Sequence, residues 1–388
     1  MANTLAQHPQ LHQFEFKEQL LLGRRESYQL KPSVIVGLEV ENFAGNHDFS
    51  GIQTAEISLA LSSVIELGGK RRSRVALADA RIQELEYARQ VSTIDILGQL
   101  TASYIETIEF QERISLARED RDLAKKILSI VKHRSAKGAT PESDLLRATA
   151  ALAKADLILN ALQQGHQRRV IKLAAYWGDT SPSWKQVEGD LYRFAQAAEF
   201  DELYRRALSS PALAVLASEK RLKRAELDLA KTNSRADLSW QLGVRHFEGS
   251  GDTALIAGMS LPLFSGNRNS GALRSARAAH NEVELLHQDA KLKLHVQLFE
   301  AYSQWQQHSQ AVTTYRETII PDLIKALNLT QKAYEAGRYS YQDWSSAQKE
   351  LLDAKRALID NAVAASLNQA VIEQLIAEPL NQLRRINQ

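Results

Sequence analysis

Val34-Ile35-Val36-Gly37-Leu38-Glu39-Val40-Glu41, answered after a turn by Glu56-Ile57-Ser58-Leu59-Ala60-Leu61-Ser62, is the most informative stretch of this chain. In steps of two, Val34, Val36, Leu38 and Val40 share one face, and Gly37, Glu39 and Glu41 the other. Ile57, Leu59 and Leu61 likewise alternate with Glu56, Ser58, Ala60 and Ser62. A period of two marks β-strands with one apolar side. The runs reach from Pro32 to Phe43 and from Thr54 to Ile65, around the break Ala44-Gly45-Asn46-His47-Asp48. Each is about ten residues long, the length of a tilted membrane-spanning strand. The elbow Gly68-Gly69-Lys70-Arg71-Arg72 then opens a very long helical stretch.

The same arrangement returns about 198 residues later, and such a period governs the fold. Ala236 to Phe247, with Leu238, Trp240, Leu242 and Val244 on one face, is followed by Gly249-Ser250-Gly251-Asp252 and by Ala254 to Phe264. The elbow becomes Ser265-Gly266-Asn267-Arg268-Asn269, after Pro262. Tyr104 answers Tyr302, Gly138 answers Gly337, Asp144 answers Asp343, and Ala155 answers Ala354. The unit is a β-hairpin joined to a helical hairpin, written twice.

From Arg71 to Ala136 there is one glycine, Gly98, and no proline, with apolar residues three and four apart (Leu97, Leu100, Tyr104, Ile108; Leu123, Ile127, Ile130). A continuous helix of that length spans roughly 100 Å and needs an equally long partner. At Lys137-Gly138-Ala139-Thr140-Pro141-Glu142, glycine suits a helix C-terminus, Thr140 an N-cap and Pro141 the first helical position. A return helix is expected from Pro141 to Tyr176. In the second copy Ala336-Gly337-Arg338-Tyr339-Ser340 makes the turn, Tyr341 begins the return, and Pro321 is expected to kink the outgoing arm.

The resulting map has an N-terminal helix at 1–31 and a first β-hairpin at 32–65. A first long helical hairpin follows at 66–176, then a connector with short helices at 177–210 and a helix at 211–235. The second β-hairpin occupies 236–264, the second long helical hairpin 265–365, and a C-terminal helical segment 366–388. Four strands alone leave two unpaired edges, and a closed barrel needs about eight strands or more. Several copies are therefore expected to share one barrel, and three copies would supply twelve strands.

Composition narrows the function. A net charge of +2, from 48 basic and 46 acidic residues, exerts no general attraction to nucleic acid. There is no cysteine, hence no disulfide, thiolate metal site or cysteine nucleophile. No apolar run reaches the about 18 residues of a membrane-spanning helix. The polar opening Met1-Ala2-Asn3-Thr4-Leu5-Ala6-Gln7-His8 lacks the basic-then-apolar pattern of an export signal.

Gly69-Lys70-Arg71 lacks the upstream glycine and the following Ser or Thr of a phosphate loop. Gly69, Lys70 and Arg71, with Pro262 and Arg268, read instead as tight strand-to-helix elbows whose cations lie at a membrane–water boundary. His280, His287, His295 and His308 lie along one helical stretch, His280 and His287 on one face; without the close i, i+4 histidine pair usual in metal sites they read as solvated residues rather than metal ligands. No catalytic triad or carboxylate dyad stands out, so the sequence calls for no enzyme, cofactor or bound metal. Asp144 and Asp343 each sit just past a helical tip. They either favour a helix N-terminus or, repeated across several copies, form carboxylate rings at a pore mouth.

Three stretches give this order of elements a family likeness. Val40-Glu41-Asn42-Phe43-Ala44-Gly45 precedes Ile65-Glu66-Leu67-Gly68-Gly69-Lys70-Arg71 and Arg74. Ser260-Leu261-Pro262-Leu263-Phe264 precedes Arg268-Asn269-Ser270-Gly271, and Tyr334-Glu335-Ala336-Gly337 precedes Ser340 and Asp343. Together they resemble the TolC-like outer-membrane efflux channels, in their heavy-metal (CzcC-type, cobalt–zinc–cadmium) branch, over nearly the whole chain.

The resemblance implies a mainly α protein with transmembrane β: a homotrimer with a twelve-strand barrel among outer-membrane lipid and a long α-helical barrel in the periplasm. The tips, at Gly138, Ala139 and Thr140 and at Gly337, Arg338 and Ser340, would meet a periplasmic adaptor protein coupled to an inner-membrane RND-type pump. Asp144 and Asp343 become pore-gate candidates. Family members carry a signal peptide and more of the first helix before His8-Pro9; the sequence as written is therefore expected to start late and not to reach the outer membrane.

The function expected is a passive duct exporting divalent heavy-metal cations. The alternatives are a drug or organic-solvent duct of the same fold, or a soluble coiled-coil scaffold. The scaffold would place polar residues on both strand faces, against the apolar face of Val34 to Val40. An adaptor would carry one helical hairpin rather than two in tandem.

Overall fold

A computed structural model of the chain describes residues 1–194 and 198–378. The chain forms two compact units, one from Met1–His12, Gln90–Pro211 and Lys291–Gln388, the other from Gln13–Arg89 and Ala212–Ala290. In chain order the elements are α1 (Ala2–Gln7), α2 (Pro9–Gln29), β1 (Ile35–Glu41), β2 (Glu56–Ile65), α3 (Lys70–Ala136), α4 (Glu142–Ala174), α5 (Phe200–Ala207) and α6 (Pro211–Asn233). The second half holds β3 (Leu238–Phe247), β4 (Asp252–Ser260), the single turn α7 (Ser265–Arg268), α8 (Ser270–Thr314), α9 (Ile320–Glu335) and α10 (Tyr341–Ile376).

All four strands form one antiparallel sheet in the order β1-β2-β3-β4. The register sets Leu38 opposite Leu59, Leu59 opposite Val244, and Val244 opposite Leu255. One face is therefore a continuous apolar surface, and it is the exposed one: Leu38 is 69% exposed, Leu255 83% and Met259 78%. On the opposite face Ser58 is only 3% exposed and Ala60 8%. Soluble sheets bury their large apolar side chains; this one turns them outward. Among the described residues β1 and β4 have no outer neighbour, so both edges are open. Gly243 lets β3 lie close to β2, since a Cβ there would stand 2.5 Å from the Leu59 carbonyl oxygen.

Two strands stop earlier than expected. β1 ends at Glu41 because Asn42 and Ala44 take left-handed backbone angles, φ 58° and 55°. β4 ends at Ser260, not Phe264: Pro262 has no N–H to pair, and Phe264 at φ 60° turns the chain into α7.

The 67-residue helix α3 is unbroken, about 100 Å at ~1.5 Å per residue. In the first unit α3, α4, α8, α9 and α10 bury one another's apolar stripes. One cluster joins Ile105, Ile108, Leu116, Val312, Leu352 and Ile359; another joins Ile127, Val131, Leu327, Tyr334, Trp344 and Leu351. The Gln111 side chain ties the connector to α3, donating to the Val187 carbonyl at 2.9 Å and accepting the Val187 N–H at 2.8 Å.

Other departures have local causes. Pro141 is the cap of α4 rather than its first residue, with ψ at 150°, and Thr140 does not cap the helix. Ahead of Pro321 the arm widens into a π-helical turn, Tyr315–Ile319, and the proline falls in the first turn of α9, where an N–H is not needed. α5 is the one helix among the described residues of the connector beyond the 3-10 turn Ala175–Trp177. The return helix α10 continues through residue 365 to Ile376, so the described part of 366–388 continues that helix; residues 379–388 lie outside the described residues. No helix among the described residues is long and apolar enough to cross a membrane.

Candidate functional site

The first elbow is held by two ion pairs. Glu66, just after β2, and Arg74, in the first turns of α3, form a two-pronged pair, with Arg74 Nη2 2.9 Å from Glu66 Oε2. That contact raises the Arg74 pKa above the ordinary guanidinium value, chiefly through its hydrogen bond to Glu66. Gly68 and Gly69 both adopt positive φ, 78° and 81°, which side chains avoid. Asp237, one residue before β3, accepts the Leu67 N–H at 3.1 Å and the Lys70 ammonium at 2.7 Å. Lys70 therefore differs from the expected rim anchor: its side chain is 10% exposed and turned inward onto Asp237. Arg71 is exposed.

The second elbow is built differently. Pro262 and Arg268 are exposed, and polar side chains make the links. Ser265 Oγ donates to the Ser234 carbonyl at 3.2 Å, and Asn269 Nδ2 to the Asn233 carbonyl at 3.1 Å. Both elbows are thus fastened to the junction between α6 and β3. Glu66 and Arg74 stand in one of the stretches that carry the family likeness, but the sequence alone gives Asp237 no role: it looks like an ordinary exposed acid until the fold brings Leu67 and Lys70 to it.

At the helical tips Gly138 and Gly337 hold equivalent left-handed positions, φ 70° and 73°. The structure brings the two tips of the chain together. Arg134 Nη1 donates to the Glu335 carbonyl at 2.9 Å, and its guanidinium lies 4.9 Å over the Tyr334 ring. Thr140 Oγ1 lies 3.4 Å from Tyr334 Oη. Trp344, fully buried, packs against Tyr334 with ring centroids 5.0 Å apart. Ala139, Arg338 and Ser340 are exposed around this core. Tyr334 opens the stretch quoted above for the family likeness, but Arg134 and Trp344 were not among the expected tip residues; a tryptophan spaced like any core residue gives no signal in one sequence.

Asp144 and Asp343 both occupy the third position of a return helix, as the duplication requires. Asp343 makes a reciprocal capping box with Ser340: Ser340 N donates to Asp343 Oδ2 at 2.9 Å, and Asp343 N donates to Ser340 Oγ at 3.2 Å. The Ser340 hydroxyl and N–H hold the Asp343 carboxyl below its ordinary pKa. Asp144 has Pro141 where Asp343 has Ser340, so no such box forms, and its N–H bonds to the Pro141 carbonyl at 3.1 Å. It is half-buried and near Tyr341, whose pKa is raised first by burial and further by the Asp144 charge.

The histidines do not converge. His308 Nδ1 is 2.8 Å from Asn361 Oδ1, and His295 packs edge-on against Phe200 and Tyr204. Among the described residues no group of three or more His, Asp or Glu is placed to hold a metal ion.

Comparison with known proteins follows the same outline. The chain is 27% identical over 292 residues to the cobalt-zinc-cadmium resistance protein CzcC of Cupriavidus metallidurans, spanning 75% of this chain and 70% of that one. Its fold is similar to that of CusC, described in terms of folding and transmembrane channel formation, with a TM-score of 0.80 at 14% identity over 97% of this chain and 90% of CusC. The outer membrane protein VceC of Vibrio cholerae gives 0.77 at 17% identity over 98% and 95%. The outer membrane efflux protein family matches residues 29–179 and 203–378, a span that takes in both copies of the hairpin-and-helix unit. This TolC-like chain, with its duplicated strands and helical hairpins, therefore belongs to the outer membrane efflux protein family.

Proposed function

We propose that three copies of this chain close a twelve-strand barrel in the outer membrane and form a passive efflux duct. The observation that carries the reading is the outward-facing apolar surface of a sheet with two open edges. Lipid is the solvent that accepts such a surface, but it tolerates no unpaired strand edge, so the sheet must be closed by further strands. Four strands cannot close alone; twelve can.

The cargo we assign is divalent heavy-metal cations, on the likeness to CzcC. The tips around Gly138 and Gly337 are the surfaces offered to a periplasmic adaptor serving an inner-membrane RND-type pump. The duct catalyses nothing. Asp144 is the better gate candidate, because the carboxylate of Asp343 is already engaged by Ser340.

The test is the mass and location of protein expressed behind an export signal and extracted in mild detergent. A heat-sensitive trimer from the outer membrane is expected. A monomer or dimer in the soluble fraction, after verified export, would replace the duct with a scaffold whose strands form a private sheet.

A further inference from the structure

The polar face of the sheet carries a charge network that closing the barrel does not require. The register sets Glu41 of β1 directly opposite Glu56 of β2, and like charges so placed repel and weaken a sheet. Arg245 of β3, opposite Ser58, reaches back to both. Its Nη2 is 3.0 Å from Glu41 Oε2, its Nη1 2.7 Å from Glu56 Oε2, and its Nε donates to Ser58 Oγ at 2.8 Å. Asn42 Nδ2 donates to the other Glu56 oxygen at 2.9 Å. All three guanidinium nitrogens are engaged, and three strands are spanned by one side chain.

Within the four strands, Arg245 is the sole cation on this face, beside the acids Glu39, Glu41, Glu56 and Asp252. We infer that Arg245 is a specificity-determining residue: it balances Glu41 and Glu56 and so limits how strongly the conduit attracts cations at this level. The inference rests on the duct reading, in which the polar face is the conduit wall. With Arg245 present the trio carries one net negative charge; without it, two, repeated in every copy around the wall. Rings of carboxylates favour cations, and an arginine bound through charge-assisted hydrogen bonds withholds those carboxylates from passing ions.

A merely structural role, stapling three strands against Glu41–Glu56 repulsion, predicts lost stability and unchanged selectivity. Planar bilayers separate the two, with the permeability ratio of K+ to Cl− read from reversal potentials of the purified full chain in a KCl gradient. For Arg245→Gln the ratio should rise about threefold at about 0.1 M salt and less at about 1 M, where screening shortens the reach of the charge. Arg245→Lys, which keeps the charge and loses the fork, should retain the parent ratio. The double variant Glu41→Gln/Glu56→Gln should fall below it.

A conducting Arg245→Gln channel with the parent ratio overturns the inference. If that variant forms no channels, an unchanged ratio in the double glutamine variant overturns it instead. A parent protein recovered as a soluble monomer or dimer would sink the duct reading, a separate failure.

Discussion

Asp237 bears two loads at the first elbow, taking the Leu67 N–H and the Lys70 ammonium with the two oxygens of one carboxylate. Removing it strands a nearly buried lysine. Breaking one side of a buried pair costs more than the pair contributes, because the remaining charge stays desolvated. Asp237→Ala should therefore destabilise the sheet unit by about 3 kcal/mol, while Asp237→Leu with Lys70→Met should recover most of that. Thermal melting followed by strand circular dichroism checks this; equal losses in the single and double variants would contradict it. The sequence shows a lysine beside two glycines, but not the carboxylate about 170 residues away that neutralises it. Arg245, Glu41 and Glu56 illustrate the same limit: each is an unremarkable polar-face residue until the register lines them up.

Elements were the most legible level. The long proline-free, three-and-four periodic stretch predicts α3 to within a residue of its start, since apolar spacing reports directly on helical phase. Helix ends were less legible, as caps depend on the dihedral angles of single residues. Thr140 has the right chemistry for a cap, but Pro141 takes the extended conformation and the cap position itself. In α10 Ser340 and Asp343 form the box that α4 lacks. Because folding lowers the Asp343 pKa, its contribution to the tip is complete above the unfolded-state value, about pH 4, and fades as pH falls through the lower folded value. In Asp343→Asn the first-turn amides of α10 should exchange faster than in the parent at neutral pH, and that excess should vanish in acid. Hydrogen exchange across pH 2 to 7, about the carboxylate range, reads it; a pH-independent excess would exclude the titrating cap. Ser340→Ala should weaken the same turn by about 1 kcal/mol.

For the whole molecule the governing fact is an inside-out sheet with two open edges, described above by its exposed Leu38 and Leu255 and its buried Ser58 and Ala60. In a closed barrel β1 of one copy meets β4 of the next. The chain has no cysteine, so pairs can be introduced without background. Leu38→Cys combined in turn with Leu255→Cys, Ala257→Cys or Met259→Cys should yield, for at least one pair, oxidised products that stop at a covalent trimer. A ladder continuing beyond three chains, or no intermolecular bond for any pair, would rule out the proposed closure.

The sequence by itself determined the duplication, the strands and their apolar face, the long helical hairpins and the glycine tips. Apart from the duplication, a repeat along the chain, these are local periodicities and turn chemistries, legible without any contact between distant segments. Only the tertiary structure decided that the apolar face stays outward, that one elbow is fastened by Asp237 while the other relies on Ser265 and Asn269, and that Arg134, Tyr334 and Trp344 knit the two tips. Most of those contacts join residues that no local pattern links, some of them 167 and 201 positions apart. Their energies depend on desolvation and on distances of a few ångströms, and neither exists until the strands are in register and the helices are packed.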